Sequence, residues 1–162
     1  MKKIVMSVCC IWLSLCLLAG CGAPPATEDW GLSVTLKGQT LPLGSPLTDT
    51  LSAALGEPVN TTEAVSCHYD GMDTIYEYEG FTLYTYQKED ARILYSIEVL
   101  DAAYPTAEGA TVGMSKSAVQ ALYSDVPCEE IASGLCYTYT NGQQLFFHFD
   151  GDSLTCIEYY TE

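Results

Sequence analysis

The chain has 162 residues, a length that suits one ordinary domain or two small ones. It carries 21 acidic against 6 basic side chains, a formal charge of −15, which repels nucleic acid and anionic lipid headgroups and excludes both as direct partners. Twelve tyrosines and regular apolar alternation set it apart from disordered acidic chains, which are poor in aromatics.

Lys2 and Lys3 open the sequence, an apolar run follows from Ile4 to Leu18, and the run closes on Leu18-Ala19-Gly20-Cys21. A basic start, an apolar core and a small-residue cleavage region mark a secretory signal over residues 1–20. The run is shorter than the roughly 20 apolar residues of a membrane span. Leu-Ala-Gly-Cys resembles the lipobox of bacterial lipoproteins. That resemblance implies cleavage before Cys21, diacylglycerol on its thiol and usually an acyl chain such as palmitate on the new N-terminus. It places the protein on the extracytoplasmic face of the bacterial cell membrane. Two acyl chains anchor stably where one is marginal. Residues 21–29, with Gly22, Pro24 and Pro25, read as a flexible tether. Loss of residues 1–20 leaves 142 residues with four basic side chains against 21 acidic, a formal charge of −17.

Beyond the tether, Leu32 to Leu43 reads as a small hairpin turning at Lys37-Gly38. A unit then occurs twice. Gly44-Ser45-Pro46-Leu47, Leu51, Leu55-Gly56, Cys67, Tyr76-x-Tyr78 and Ile97-Glu98 are echoed by Gly113-Met114-Ser115, Val119, Cys128, Tyr137-x-Tyr139 and Ile157-Glu158. In the first copy Ser45 is the expected N-cap and Pro46 the first helical residue, with Leu47, Leu51, Ala54 and Leu55 on one face and Gly56 and Pro58 ending the helix. In the second, Ser115 caps, and Ala118, Val119, Leu122 and Tyr123 form the face. Three strands follow each helix. Glu79-Gly80, Asn141-Gly142 and Asp150-Gly151 supply turns, and Asn141-Gly142 predicts positive φ at both positions. Ala102 to Ala110 joins the units. The expected fold class is α+β: two tandem repeats, residues 30–101 and 102–162, each a short helix followed by a three- or four-stranded antiparallel sheet.

Ser66-Cys67, Gly71, Asp73, Tyr76-x-Tyr78, Thr106-x-Glu108-Gly109 and Val112-Gly113 resemble the pattern of an uncharacterised group of lipoproteins from Gram-positive gut bacteria. The repeated unit also resembles, at fold level, the tandem repeats of the β-lactamase inhibitor protein and of assembly lipoproteins of the SmpA/OmlA type. Those relatives bind proteins, so the resemblance implies a protein-binding module.

Cys9, Cys10 and Cys16 fall in the signal and Cys21 takes lipid, which leaves Cys67, Cys128, Cys136 and Cys156 in a disulfide-permissive setting. No C-x-x-C or zinc spacing occurs among them. Cys136 and Cys156 are expected on strands flanking a central one, about 9 to 10 Å apart and beyond disulfide reach. Cys128–Cys136 is the favoured candidate disulfide, while Cys67 and Cys156 are equally compatible with free thiols. Cys67-His68 is formally a nucleophile beside a base, but it lacks an oxyanion site, and His148 reads as a strand residue between Phe147 and Phe149. Asp70 with Asp73, and Asp150 with Asp152, offer too few oxygens for calcium. No catalytic residue, metal or cofactor is therefore expected. The tyrosines are enriched on predicted strands. Half are expected to pack, and the others to form an aromatic platform, with Tyr76, Tyr78, Tyr137 and Tyr139 as the candidate binding surface. The expected function is a membrane-anchored, non-enzymatic module that binds or scaffolds a protein or peptide. The alternative is a solute- or glycan-binding lipoprotein that uses an aromatic cleft.

Overall fold

The computed structural model describes residues 31–67 and 69–162. The expected signal, the expected lipidation at Cys21, the expected tether and His68 fall outside the described residues. Ten strands and two helices follow in order: β1 (Ser33–Leu36), β2 (Gln39–Pro42), α1 (Asp49–Leu55), β3 (Asn60–Val65), β4 (Met72–Tyr78), β5 (Phe81–Lys88), β6 (Ala91–Val99), α2 (Lys116–Leu122), β7 (Cys128–Ile131), β8 (Gly134–Thr138), β9 (Gln144–Asp150) and β10 (Ser153–Tyr160). β1 and β2 form the expected hairpin, with positive φ at Lys37 and Gly38. The other eight strands form one antiparallel sheet in the order β3-β4-β5-β6-β10-β9-β8-β7.

This corrects the expected fold class. The protein is mainly β, with 49% of the described residues in strands and 11% in helices, and it is not a pair of helix-plus-sheet repeats. β6 and β10 pair antiparallel, Ile157 opposite Val99 and Tyr159 opposite Ile97, so β3 to β6 from the first expected repeat and β7 to β10 from the second share one sheet. One apolar cluster runs across the seam and takes in Leu55, Phe81 and Ile97 together with Val119, Phe147 and Ile157. The helices are seven residues each, too short to hold without tertiary packing.

Strand alternation sorts the sheet into two faces. Along the register, Tyr78, Phe81, Val99, Ile157, Phe147 and Leu135 make one row of the covered face. Tyr76, Leu83, Ile97, Tyr159, Leu145 and Tyr137 make the next. Leu36, Leu41 and Leu43 from the hairpin, Leu55 from α1, and Val119 from α2 with Tyr123 beyond its end bury against these rows. The Lys37 ammonium donates to the Leu55 carbonyl at 2.8 Å and lies 5.2 Å from the Tyr78 ring centre, tying the hairpin to the open C-terminus of α1.

Ser115 caps α2 as expected, accepting from Ala118 N. The cap of α1 is Thr48 rather than Ser45. Ser45 is held in extended pairing with β6, with Leu94 N donating to Ser45 O, and its own hydroxyl donates to Pro42 O, so the helix starts later. The Asn141-Gly142 turn needs positive φ only at Gly142, because the Asn141 side chain accepts from Gln143 N and fixes the turn from within. β3 and β7 were not marked by apolar alternation. Both are edge strands, mostly exposed, and their Glu63, Glu129 and Glu130 blunt the edges. No helix among the described residues is long and apolar enough to cross a membrane.

Candidate functional site

Among the described residues no helix covers the second face of the sheet. Two of its rows also follow from the register: Glu77, Thr82, Glu98, Glu158, Phe146 and Cys136, then Ile75, Tyr84, Ser96, Tyr160, Gln144 and Thr138. A β-bulge between Tyr84 and Thr85 leaves Tyr95 as an extra residue on β6. That slip keeps Leu94 in the core while Tyr95 joins Tyr84 and Tyr86 on the open face.

The rings there form a continuous ladder. Tyr69, from the β3–β4 connection, stacks on Tyr86 with centroids 3.7 Å apart. It lies 5.5 Å from Tyr95, which in turn lies 6.3 Å from Tyr84 and 6.5 Å from Tyr160. Tyr160 meets Phe146 at 6.4 Å, and Phe146 meets His148 at 6.1 Å. All are half-buried, so each ring is braced by its neighbours and still offers surface.

Carboxylates line this ladder. Glu98 and Glu158 are directly opposite each other across the β6–β10 seam. Tyr84 Oη donates to Glu98 Oε2 at 2.8 Å. Ser96 Oγ donates to Glu158 Oε1 at 3.2 Å, and His148 Nε2 lies 3.2 Å from Glu158 Oε2, with His148 Nδ1 3.0 Å from Ser133 Oγ. Tyr95 Oη reaches Asp73 Oδ2 at 3.5 Å, while Asp73 Oδ1 is buried with no hydrogen-bond partner among the described residues. Like charges facing each other across strands are destabilising. No arginine or lysine side chain makes an ion pair with any of the three among the described residues. Burial first, then the Asp73 charge and neighbouring tyrosines, pushes the Tyr95 hydroxyl up to about 12; burial and the same surroundings push Tyr69 to about 12. Burial, then Glu98 and Glu158, raises the Cys156 thiol to about 12. The face therefore holds neutral phenols and a protonated thiol around carboxylates that no lysine or arginine among the described residues neutralises.

No family model matches the chain, and no curated protein matches it. A solved structure with detectable likeness is that of the uncharacterized protein yfeY from Escherichia coli, at 12% identity and a TM-score of 0.43, covering 75% of this chain and 93% of that one. A likeness of that degree carries no argument about function.

The four tyrosines expected as the binding surface lie on the other side of the sheet. Tyr78 and Tyr137 are only 6% and 1% exposed, within the core, and Tyr76 and Tyr139 pack against it. The platform is made instead by Tyr69, Tyr84, Tyr86, Tyr95 and Tyr160, the tyrosines out of phase with the Tyr-x-Tyr pairs. The candidate disulfide is likewise corrected. Cys128 and Cys136 are both free thiols. Cys128 stands opposite Tyr137 and Cys136 opposite Glu129, so the two cysteines point to opposite faces of the sheet. Among the described residues no three His, Cys, Asp or Glu side chains converge as a metal site. Asp152 is occupied otherwise, accepting from N of Lys116, the first residue of α2.

A cavity of about 450 Å³ opens on the covered side, between the Gly31–Ser33 entry and the Tyr139–Asn141 turn. It lies away from the open face.

Proposed function

We propose that this protein is a membrane-anchored extracytoplasmic lipoprotein that acts as a non-enzymatic binding module, with the open sheet face holding a basic, extended segment of a partner protein or peptide. One observation carries the reading: a continuous row of half-exposed rings is interleaved with three carboxylates, two of them facing each other at the seam and the third with a buried, unpartnered oxygen. A lysine or arginine laid over this face relieves the Glu98–Glu158 repulsion and gains cation–π contact with the rings. The net charge of −15 steers a basic partner towards the protein and repels acidic ones. The anchor rests on the Leu-Ala-Gly-Cys lipobox. A tether of nine residues reaches at most about 30 Å, so a partner is met close to the membrane.

Calorimetry with a lysine-rich peptide and a glutamate-rich peptide of equal length tests the binding claim. The basic peptide is expected to bind, with affinity falling in salt, and the double variant Glu98→Gln, Glu158→Gln to weaken it about tenfold or more. Equal binding of both peptides, or an unaffected double variant, contradicts it. The anchor is tested separately by labelled palmitate: Cys21→Ala is expected to abolish incorporation and release the protein from membranes. Persistent labelling overturns that part alone.

A further inference from the structure

His148 is the only histidine among the described residues, and it stands on the open face at the end of the ring ladder, beside Phe146. Imidazole is the side chain that ordinarily gains or loses a proton between about pH 5 and 8. Both ring nitrogens have fixed partners. Nε2 lies 3.2 Å from Glu158 Oε2, a carboxylate that only accepts, so Nε2 carries a hydrogen in either state of the ring. Nδ1 lies 3.0 Å from Ser133 Oγ, an exposed hydroxyl that both donates and accepts. In the neutral ring Nδ1 accepts from that hydroxyl. In the imidazolium Nδ1 donates to the same oxygen, and the hydroxyl hydrogen turns to solvent. Neither state leaves a nitrogen unpaired, so the ring takes up a proton without rearrangement of the sheet.

The groups around the ring are mostly acidic. From β10 come Glu158 and, directly opposite in register, Cys156. From β6 comes Glu98, opposite Glu158. On β8, Gly134 stands opposite His148 and Cys136 opposite Phe146, with Glu129 of β7 beyond Cys136. Asp150 follows two residues on along β9. Burial raises the Cys156 thiol to about 12 and lifts the Cys136 thiol and the Tyr84 phenol, so these three stay neutral up to about pH 8. Protonation of His148 therefore sets a positive charge against Glu158 and offsets one of the two carboxylates that face each other at the seam.

We infer that His148 makes docking on the open face pH-sensitive: the neutral ring leaves Glu98 and Glu158 to a lysine or arginine of the partner, and the imidazolium holds Glu158 for itself and repels that cation. The inference rests on the docking reading above and adds its regulation. Affinity for a basic segment is full where the ring is neutral and falls as the pH drops through its titration. By linkage, the bound cation disfavours the imidazolium, so docking in acid releases a proton from the ring. Two like charges roughly 6 Å apart on a half-exposed face, at an effective dielectric of about 40 to 80, give a weakening of about three- to tenfold.

The test is calorimetry of the full-length chain with the lysine-rich peptide at about pH 8 and about pH 5.5, an interval over which lysine keeps its charge. The wild-type protein is expected to bind about three- to tenfold more weakly at the lower pH. His148→Gln retains an amide that bonds Glu158 and Ser133 and takes no charge, so its affinity is expected to change by less than about twofold. Thermal melts at both pH values establish that the variant is folded. A second reading needs no variant affinity: in a proton–carbon titration of the wild-type imidazole signals, the peptide is expected to move the His148 midpoint to lower pH. Binding at the higher pH that is unchanged at the lower, an equal fall in folded His148→Gln, or a midpoint that the peptide leaves in place overturns this inference while the docking reading stands. Absence of binding at both pH values overturns the docking reading and this inference with it.

Discussion

Gly134→Ala probes how closely the sheet is built beneath the acidic face. Gly134 pairs with His148 across β8 and β9, and a Cβ added there would sink into the Phe147 carbonyl oxygen, 2.9 Å from its carbon and 3.0 Å from Phe149 Cδ2. The obstacle is backbone, so relief requires β8 to move away from β9 by roughly 1 Å, well beyond the tolerance of a ladder hydrogen bond. Two lost ladder bonds, with groups left buried, cost about 1–3 kcal/mol each. The strained φ of 156° for an alanine adds about 1 kcal/mol. The expected loss is therefore about 3–7 kcal/mol. Gly142→Ala is the control: it also has positive φ, at 85°, but its Cβ would meet nothing within 4 Å, so only the backbone term applies, about 1 kcal/mol. Urea unfolding followed by far-UV circular dichroism gives both midpoints at constant slope. In thermal terms the pair should separate by roughly 4–24 °C, at about 2–4 °C per kcal/mol for a chain of this size. Ser133 holds His148 Nδ1 from the same strand end, so Gly134→Ala should also disturb the Glu158–His148 pair. A Gly134→Ala loss within about 1 kcal/mol of the Gly142→Ala loss, which is the size of the control term itself, would refute the packing argument.

Two further outcomes follow from ionisation. Tyr69 and Tyr95 titrate near 12 in the fold against 10 in the unfolded chain. The unfolded state loses their protons first, so their contribution is fully present below pH 10 and is lost as pH rises towards 12. Melting temperature should therefore fall steeply over that window, with phenolate absorbance appearing together with unfolding; ionisation of all the tyrosines near pH 10 in a still-folded protein contradicts the burial of the ladder. At neutral pH, an aromatic disulfide reagent should react quickly with the exposed Cys67 and Cys128 and slowly with buried Cys136 and with Cys156, whose thiol is raised to about 12. Rapid modification of all four, or a mass showing a Cys128–Cys136 bond, contradicts the placement of those cysteines on opposite faces.

Much of the strand content was legible because alternation and turn residues carry it. Lys37-Gly38 marked its hairpin, and Ser115 marked its helix. The joining of all eight strands into one sheet was not legible, since it rests on the pairing of Ile97 and Val99 with Ile157 and Tyr159, about sixty residues apart, and nothing local specifies that pairing. The assignment of faces went astray for a related reason. Tyr76-x-Tyr78 and Tyr137-x-Tyr139 look like exposed amphipathic pairs when read alone, yet each neighbours an apolar row that the hairpin and helices cover. In Phe81-Thr82-Leu83-Tyr84, by contrast, the phase is readable: Phe81 and Leu83 point inwards, so Tyr84 points out. Past that point the bulge at Tyr95 breaks the two-residue period, and simple alternation would have assigned the wrong face.

The central claim is that the ringed, acidic face of the sheet is where a basic segment docks. The most direct measurement is an amide chemical-shift titration of the ¹⁵N-labelled protein with the lysine-rich peptide. Shifts confined to β5, β6, β10 and β9 around Tyr84, Tyr95, Glu98, Glu158 and Tyr160, and suppressed in the Glu98→Gln, Glu158→Gln variant, are the predicted result. Shifts centred on α1, α2 or the β1–β2 hairpin, or no shifts at saturating peptide, would contradict it.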